Sequence, residues 1–341
     1  MKKKIFKRIL IPVIIILLFG ALIIFGRDKK DSGILTIVNV SYDPTREFYL
    51  QYNELFEEYY QEQHGEPIEI VQSHGGSGSQ VRSIIEGVDA DVVTLALEHD
   101  VSLLEKVELL EPGWTTRLPG DSSPYTSTIV FLVRKGNKKN IQDWQDLVKE
   151  GVDIITPDPK SSGGACWNFL AAWYYANKQF NGDESKIKQY MTDLYANVFV
   201  MDSGARGATT TFVENGQGDV LIAWENEAIT TVREYPGDYE IISPSVSILA
   251  QPSVAVVDEI ARKNGTEEAS KEYLEYLYCD EAQRLIGENG YRPYNETILQ
   301  EFADTFDLDM ELCTIDDFGG WDAVYDKFFN DGGIFDEIYG N

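Results

Sequence analysis

The sequence contains few cysteine and histidine residues. Among its 341 residues there are three of each, namely Cys166, Cys279, Cys313, His64, His74 and His99. The cysteine spacing fits neither a zinc site nor a disulfide framework, and the histidines are too scattered to indicate a metal centre. An exported chain could join Cys279 to Cys313, but the simpler expectation is three free or buried thiols. We therefore predict neither a metal nor another cofactor.

Basic residues are scarce as well. Lys and Arg total 29 against 57 Asp and Glu, which gives a formal net charge of −28 at pH 7. Because a nucleic-acid-binding protein needs a basic face to neutralise phosphates, we expect no nucleic-acid partner. A small anion could still bind, since bulk charge is screened over about 10 Å at ordinary salt while donors that touch the ligand are not screened. An anion site in this chain must then depend on local dipoles.

Complete catalytic motifs are also missing. The turn at residues 73–78 lacks the Lys that a Walker A loop places after its last glycine. The frame around Ser77 fails the G-x-S-x-G pattern, because Ser79 stands where the last glycine should be. We found no Ser/His/Asp set and no distinctive pair of carboxylates, so an enzyme acting on sulfate or phosphate esters is the weakest alternative.

The one long hydrophobic run lies at the N-terminus. Five basic residues precede an almost continuous apolar run over residues 9–25, and a polar linker extends to residue 33. This pattern is typical of an export signal or a membrane anchor. Because neither a small-x-small cleavage site nor a lipid-carrying cysteine follows, we expect an uncleaved anchor, with a cleaved signal as the alternative. The leading basic residues place the remainder outside the cytoplasm, in the periplasm or on the outer face of the membrane.

The remaining chain, about 305 residues long, is more than one hydrophobic core usually holds, so we expect two domains. Strand-like runs alternate with helical patterns along it, and this alternation predicts an α/β fold with parallel sheets covered on both faces. In such sheets ligands bind beyond the carboxyl ends of the strands.

Four turns at such strand ends are the most informative feature. Three are rich in Gly and Ser, at residues 73–78, 161–165 and 203–207, and the fourth, at residues 41–45, contains Asp43 and Pro44. Glycine lets the backbone approach a ligand closely, and a helix start offers N–H donors and the positive end of the helix dipole. Two turns precede residue 80 and two follow residue 160. They therefore predict a site for a small anion between two domains.

Each turn has a structural alternative. Ser77 could serve only as a helix N-cap, and Trp224, whose indole N–H is another donor at a strand end, could be an ordinary core residue. Asp43 is expected to be the N-cap of a helix whose first residue is Pro44. Its carboxylate would then bond its own helix, leaving only its N–H for a ligand. Arg206 is expected to form an ion pair rather than to contact the anion.

A site made only of donors favours one class of anion. Backbone N–H, serine hydroxyl and indole N–H groups all donate, whereas hydrogen phosphate carries a proton that needs an acceptor. Leaving a buried polar group without its partner costs roughly 1–3 kcal/mol. The donor set therefore favours a fully ionised tetrahedral oxyanion such as sulfate.

Seven segments in matching order resemble the sulfate-binding proteins of ABC importers. They are residues 39–46 (NVSYDPTR), 72–78 (QSHGGSG), 91–96 (DVVTLA), 124–134 (PYTSTIVFLVR), 161–165 (SSGGA), 202–207 (DSGARG) and 218–228 (GDVLIAWENEA). The resemblance implies a two-lobed, hinged periplasmic-binding-protein fold of type II with its ligand in the interlobe cleft. Lobe I would contain residues 34–125, lobe II residues 126–248, and residues 249–341 would return to lobe I and add the C-terminal helices.

The resemblance also implies the ligand and its donors. Sulfate would be held without a counter-cation by the N–H groups of Asp43, Ser77, Gly163, Gly164 and Ala205, the hydroxyl of Ser162 and the indole of Trp224. A monomer would deliver it to an ABC permease in the membrane. Thiosulfate, alone or in addition, is the nearest alternative, followed by phosphate or molybdate and by a tethered oxyanion sensor. Cys166 departs from the pattern, since a basic residue is expected after Gly-Gly-Ala.

Overall fold

The computed structural model describes residues 34–340. The predicted N-terminal anchor and its linker lie outside this range. Among the described helices, none combines the length and the apolar character that crossing a membrane requires.

The described chain alternates strands and helices. The strands are β1 (Leu35–Tyr42), β2 (Ile68–Gly75), β3 (Val92–Leu95), β4 (Tyr125–Thr126), β5 (Ile129–Arg134), β6 (Ile154–Pro157), β7 (Val198–Asp202), β8 (Val220–Trp224), β9 (Tyr239–Ile242), β10 (Val246–Ile248), β11 (Ser253–Val256), β12 (Arg292–Pro293) and β13 (Glu311–Cys313). Apart from the irregular turn Pro119–Ser122, in which Gly120 and Asp121 depart from helical conformation, the α-helices are α1 (Arg46–His64), α2 (Ser77–Ile85), α3 (Glu98–Lys106), α4 (Gly163–Gln179), α5 (Glu184–Ala196), α6 (Ala205–Val213), α7 (Glu225–Glu234), α8 (Asp258–Asn264), α9 (Glu267–Tyr276), α10 (Asp280–Glu288), α11 (Glu296–Glu301), α12 (Trp321–Val324) and α13 (Ile334–Tyr339). A short 3-10 turn, Asp43–Thr45, joins β1 to α1.

Two larger sheets organise these elements. The first has the strand order β11-β3-β1-β2, and the second has the order β7-β6-β8-β5-β9. In the first sheet β1 runs parallel to β3, whereas β11 is antiparallel to β3. In the second, β6 is parallel to β7 and β8, but β5 is antiparallel to β8 and β9. The α/β prediction is confirmed, but the prediction of parallel sheets is wrong, because β5 and β11 run opposite to the other strands of their sheets.

Helix α1 illustrates how the sequence pattern forms an element. Phe48, Tyr52 and Phe56 recur at helical spacing and are buried together. The Phe56 ring meets Tyr273 of α9 edge-on at 5.0 Å, so the aromatic face of α1 packs against a helix that is distant in sequence. Gly65 ends α1 with φ of 73°, a left-handed conformation that glycine adopts without strain.

The core of the second sheet extends to both the C-terminal helices and the first sheet. Trp167 of α4 packs edge-on against Trp321 of α12 at 4.7 Å. The same buried cluster includes Tyr42 and Leu97, which follow or end strands of the first sheet. The strand ends of the two sheets are therefore in direct contact, and this contact positions the site.

A buried ion pair links β12 to α7. Arg292 donates to both carboxylate oxygens of Glu225, at 2.7 and 2.9 Å, and the side chains are only 6% and 4% exposed. The Arg292→Met variant would leave the Glu225 carboxylate buried without its cation. We expect the free energy of unfolding to fall by about 3–5 kcal/mol, as measured by urea denaturation.

The matched control is Arg284→Met, which removes a similar pair with Glu301 whose side chains are 47% and 43% exposed. Solvent screens this second pair, so its loss should be much smaller. Equal losses from the two variants would contradict the assignment of Arg292 to a buried pair.

Candidate anion-binding site

A small cavity lies where the strand ends of the two sheets meet. Its lining includes residues from all four predicted turns, namely Tyr42, Asp43, Pro44, Gly75, Gly76, Ser77, Ala96, Ser162, Gly164 and Ala205. Its volume is about 10 Å³. A space of this size suits one compact ion rather than an extended ligand. Larger cavities of about 300 Å³ beside Trp114 and 410 Å³ beside Trp321 contain none of these lining residues.

The other two predicted residues border the same place. A Cβ atom on Gly163 would lie 3.0 Å from the Cβ of Ala96 and 3.2 Å from that of Ser77. The indole N–H of Trp224 donates to the carbonyl oxygen of Gly164 at 3.3 Å. Trp224 is also buried in the core, 2% exposed. The structure thus brings all seven predicted residues together from the two sheets.

Most of these residues stand at the starts of helices. Ser77 is the first residue of α2, Gly163 and Gly164 are the first two of α4, and Ala205 is the first of α6. Backbone N–H groups at the first positions of a helix lack an acceptor within that helix. Together with the positive ends of the helix dipoles, they create a region suited to an anion without using a cationic side chain.

Glycine is required where the two halves of the site approach most closely. A Cβ atom on Gly76 would lie 2.9 Å from the carbonyl oxygen of Ser161, closer than real Cβ atoms come to oxygen. Gly76 precedes α2, and Ser161 belongs to the turn before α4. The predicted turn is shorter than expected, because β2 continues through Gly75 and includes Ser73 and His74.

The predicted role of Asp43 as an N-cap is wrong. Tyr42 occupies the N-cap position in an extended conformation, and Asp43 is the first residue of the 3-10 turn, with Pro44 second. The turn begins one residue earlier than predicted because the extended conformation of β1 ends at Tyr42. Burial raises the pKa of the Asp43 carboxyl, while the charges of Arg46 and Arg206 counteract part of this rise. The Asp43 carboxylate is therefore not engaged in capping this turn.

The predicted ion pair of Arg206 is confirmed. Its Nη2 atom lies 2.6 Å from both carboxylate oxygens of Glu47 in α1. Glu227, which accepts a hydrogen bond from Thr209 at 2.8 Å, lies close enough to Arg206 for the guanidinium to lower its burial-raised pKa. The guanidinium charge next to Ala205 is thus compensated by carboxylates.

His74 adds no cation near neutral pH. Burial, with a smaller contribution from the charge of Arg46, lowers the pKa of His74 to about 4. The imidazole is therefore neutral at pH 7, and the cavity depends on dipoles for its positive potential.

The cysteines take no part in the cavity lining. In the described residues, which include all three cysteines, each thiol is free, so the alternative of a Cys279–Cys313 bridge is wrong. Cys166 is buried in α4 and its thiol donates to the carbonyl of Pro159 at 3.4 Å. Within residues 34–340, no cluster of His, Cys, Asp or Glu side chains is arranged to hold a metal ion.

Two neighbours of the site, Ala96 and Asp100, were not predicted from the sequence. Ala96, just beyond β3, lines the cavity, and its carbonyl accepts the indole N–H of Trp167 at 3.0 Å. Asp100 accepts the hydroxyl of Ser77 at 2.5 Å, so the hydrogen of that hydroxyl is already engaged within the protein. Ala96 stands at the carboxyl end of a predicted strand, and this position alone indicated that it could border a ligand site. Nothing in the local sequence indicated that Asp100 would bond Ser77.

The chain belongs to the bacterial extracellular solute-binding proteins, whose family profile matches residues 46–292. The sulfate-binding protein of Escherichia coli K12 is 52% identical over 306 residues, covering 89% of this chain and 93% of that protein. The thiosulfate-binding protein of Pseudomonas aeruginosa is 45% identical over 305 residues, covering 89% and 92%. The solved structure of the sulfate-binding protein SubI from Mycobacterium tuberculosis H37Rv matches with a TM-score of 0.78 and 31% identity, over 87% of this chain and 100% of that one. The predicted family and the periplasmic-binding-protein fold are confirmed.

Replacing Gly163 tests the site. A Cβ atom there would lie 2.9 Å from Leu97 Cγ as well as close to Ala96 and Ser77, so Gly163→Ala should push the start of α4 away from the first sheet. We expect sulfate to bind at least about tenfold more weakly by calorimetry, a loss of about 1.4 kcal/mol, with little change in the melting temperature.

The matched control is Gly78→Ala, a substitution in the first turn of α2. Its Cβ atom would meet only ordinary contacts, at 3.4 Å from the flexible end of Arg82 and 3.9 Å from Ser161. This variant should bind sulfate as the native protein does. Unchanged binding by Gly163→Ala would exclude the start of α4 from the site.

Proposed function

We propose that the protein captures sulfate outside the cytoplasm, in the cavity between its two sheets, and delivers it to the membrane permease of an ABC importer. The observation that carries this proposal is the convergence of helix-start N–H groups from both sheets on one ion-sized cavity. The similarity to sulfate- and thiosulfate-binding proteins supports the same ligand class.

In this proposal every donor to the ligand is neutral. They are the N–H groups of Asp43, Ser77, Gly163, Gly164 and Ala205, the hydroxyl of Ser162 and the indole of Trp224. The bond from Trp224 to Gly164 is long at 3.3 Å, so it is weak and the N–H can be shared with a ligand oxygen beside it. Helix dipoles, each equivalent to about half a charge at the N-terminus, would stabilise the dianion.

Sulfate would also hold the two halves of the protein together. Asp43 and Ser77 follow strands of the first sheet, while Gly163 and Ala205 follow strands of the second. A single anion bonded to both sets would favour the closed arrangement over one with the halves apart. The closed form is the state proposed to dock on the permease.

Discrimination against hydrogen phosphate would rest on the missing acceptor. A candidate acceptor is the carboxylate of Asp43, a residue of the cavity lining, whose Oδ2 atom lies 3.2 Å from the Cβ position of Gly204. The charges of Arg46 and Arg206 both act on it. We propose that these cations keep the carboxylate turned away from the ligand.

Sulfate and phosphate can be compared as dianions. At about pH 9 phosphate is almost entirely hydrogen phosphate, which matches sulfate in charge and shape but carries one proton. Calorimetry at this pH should show sulfate binding at least about tenfold more tightly, because an unpaired polar group costs roughly 1–3 kcal/mol. Equal affinities would overturn the donor-only site.

Thiosulfate is the second candidate ligand. The relative from Pseudomonas aeruginosa, 45% identical to this chain, is named for thiosulfate, and the same donors would suit its three oxygens. Competition calorimetry, in which thiosulfate is titrated into the sulfate complex, distinguishes one shared site from sulfate alone.

The remaining expectations concern location and assembly. We propose a monomer that binds rather than converts its ligand and that is either tethered through residues 9–25 or released after cleavage. A tethered oxyanion sensor is the alternative to a transport component. The mass of the mature protein would decide between tethering and cleavage, and a pull-down would identify the permease or a signalling partner.

The Glu47–Arg206 pair should slow the release of sulfate. It connects α1, which follows the first sheet, to α6, which follows the second, through half-exposed side chains. Glu47→Gln should therefore increase the sulfate dissociation rate about fivefold, corresponding to roughly 1 kcal/mol, in stopped-flow measurements. Glu62→Gln removes the same charge at the exposed end of α1 and should leave the rate unchanged. Equal rates for the two variants would show that the pair does not hold the closed form.

A further inference from the structure

We propose that Asp100 is a positioning residue of the anion site: its carboxylate holds the hydroxyl of Ser77 and so fixes the first turn of α2, whose N–H faces the cavity. This inference rests on the proposed function of the cavity. It adds a residue that lies outside the cavity lining and donates nothing to the ligand.

The side chain of Ser77 is buried, and its hydroxyl is engaged both as a donor and as an acceptor. Ser77 is 2% exposed and Asp100, the third residue of α3, is 3% exposed. The Ser77 hydroxyl donates to Asp100 Oδ2 at 2.5 Å, and its oxygen accepts the backbone N–H of Ala96 at 3.1 Å. With its hydroxyl hydrogen committed to Asp100, Ser77 can offer an anion only its backbone N–H.

This hydrogen-bond network extends to α4, the helix that follows β6 of the second sheet. The carbonyl of Ala96 accepts the indole N–H of Trp167, which lies on α4, the helix that begins at Gly163. A chain of hydrogen bonds thus runs from Asp100 through Ser77 and Ala96 to Trp167. It connects the start of α2 to the body of the helix whose start lies on the opposite side of the cavity.

A carboxylate suits this place because it only accepts hydrogen bonds, so the Ser77 hydroxyl can orient in one way only. The charge of Arg82 acts on Asp100, but its guanidinium donates to the hydroxyl of Ser79 at 3.2 Å. Burial raises the pKa of Asp100 to about 6, against the opposing effects of Ser77 and Arg82. Cys166 of α4 and Tyr325 lie near Asp100: burial raises the pKa of each, and the charge of Asp100 raises it further.

Sulfate affinity should depend on the hydrogen-bond acceptor that Asp100 provides and not on its negative charge. A charge on Asp100 repels an anion in the neighbouring cavity, so it cannot aid binding directly. Asn at this position would keep a hydrogen-bonding partner for Ser77 and remove the repulsion, whereas Ala would leave the buried hydroxyl without its acceptor.

The test is calorimetry with sulfate on the native protein and on Asp100→Asn, Asp100→Ala, Ser77→Ala and the Ser77→Ala/Asp100→Ala double variant. We expect Asp100→Ala and Ser77→Ala each to raise the dissociation constant at least tenfold. Asp100→Asn should bind within threefold of the native protein or more tightly. The double variant should be no weaker than Asp100→Ala, because both substitutions break one bond.

Asp146→Ala is the matched control for loss of a buried carboxylate. Asp146 is 5% exposed and accepts the backbone N–H groups of Gln142 and Asp143, but it lies outside the cavity lining. This variant should lose stability and keep native sulfate affinity. If the role of Asp100 were purely structural, Asp100→Ala would likewise lose stability and keep native sulfate affinity.

Three outcomes would overturn the proposal. They are native affinity in folded Asp100→Ala, equal losses from Asp100→Asn and Asp100→Ala, and additive losses in the double variant. If Asp100→Ala does not fold, native affinity in Ser77→Ala overturns the proposal by itself. Failure of the native protein to bind sulfate would instead reject the proposed function, and with it this role of Asp100.

Discussion

The site depends on the meeting of helix starts from two sheets at one point. Strands β1 and β2 of the first sheet and β6 and β7 of the second all end at this point. The backbone N–H groups that follow them therefore face a common space. Because the first N–H groups of a helix have no acceptor within the helix, this space has a positive potential although the chain carries a net charge of −28.

The charged side chains around the cavity are arranged so that they do not disturb this potential. The guanidinium of Arg206 is held by Glu47 and faces Glu227, and His74 is neutral because of burial. A cation that touched the ligand would bind many anions, protonated or not. Because the charged side chains are paired, the neutral donors with their fixed directions determine which anion binds. This selectivity is consistent with relatives that are named for sulfate and thiosulfate.

The sequence predicted much of the site because its signals are local. Gly76, Gly163 and Gly164 stand between an apolar run and a helical pattern, and a glycine in that place indicates close backbone approach. All seven predicted residues meet in the structure, although their contacts with a ligand stay a prediction. The role of Asp43 as N-cap was wrong by a single residue, because the end of a strand depends on its pairing as well as on its own residues.

The features that the sequence did not predict depend on distant pairing. The direction of β11 is set by β3, which lies about 160 residues earlier in the chain. The bond between Ser77 and Asp100 joins residues of two different helices, and the one between Trp167 and Ala96 joins the two halves. No local pattern specifies such partners, so the supporting contacts of the site became visible only in the fold.

The most direct test of the account is a calorimetric titration of the purified protein with sulfate at low and at high sodium chloride. Binding through neutral, enclosed donors predicts one sulfate per chain, a dissociation constant far below about 1 mM, and little change with salt, because no exposed cation is involved. No binding at about 1 mM, or an affinity that falls steeply as salt is added, would contradict it.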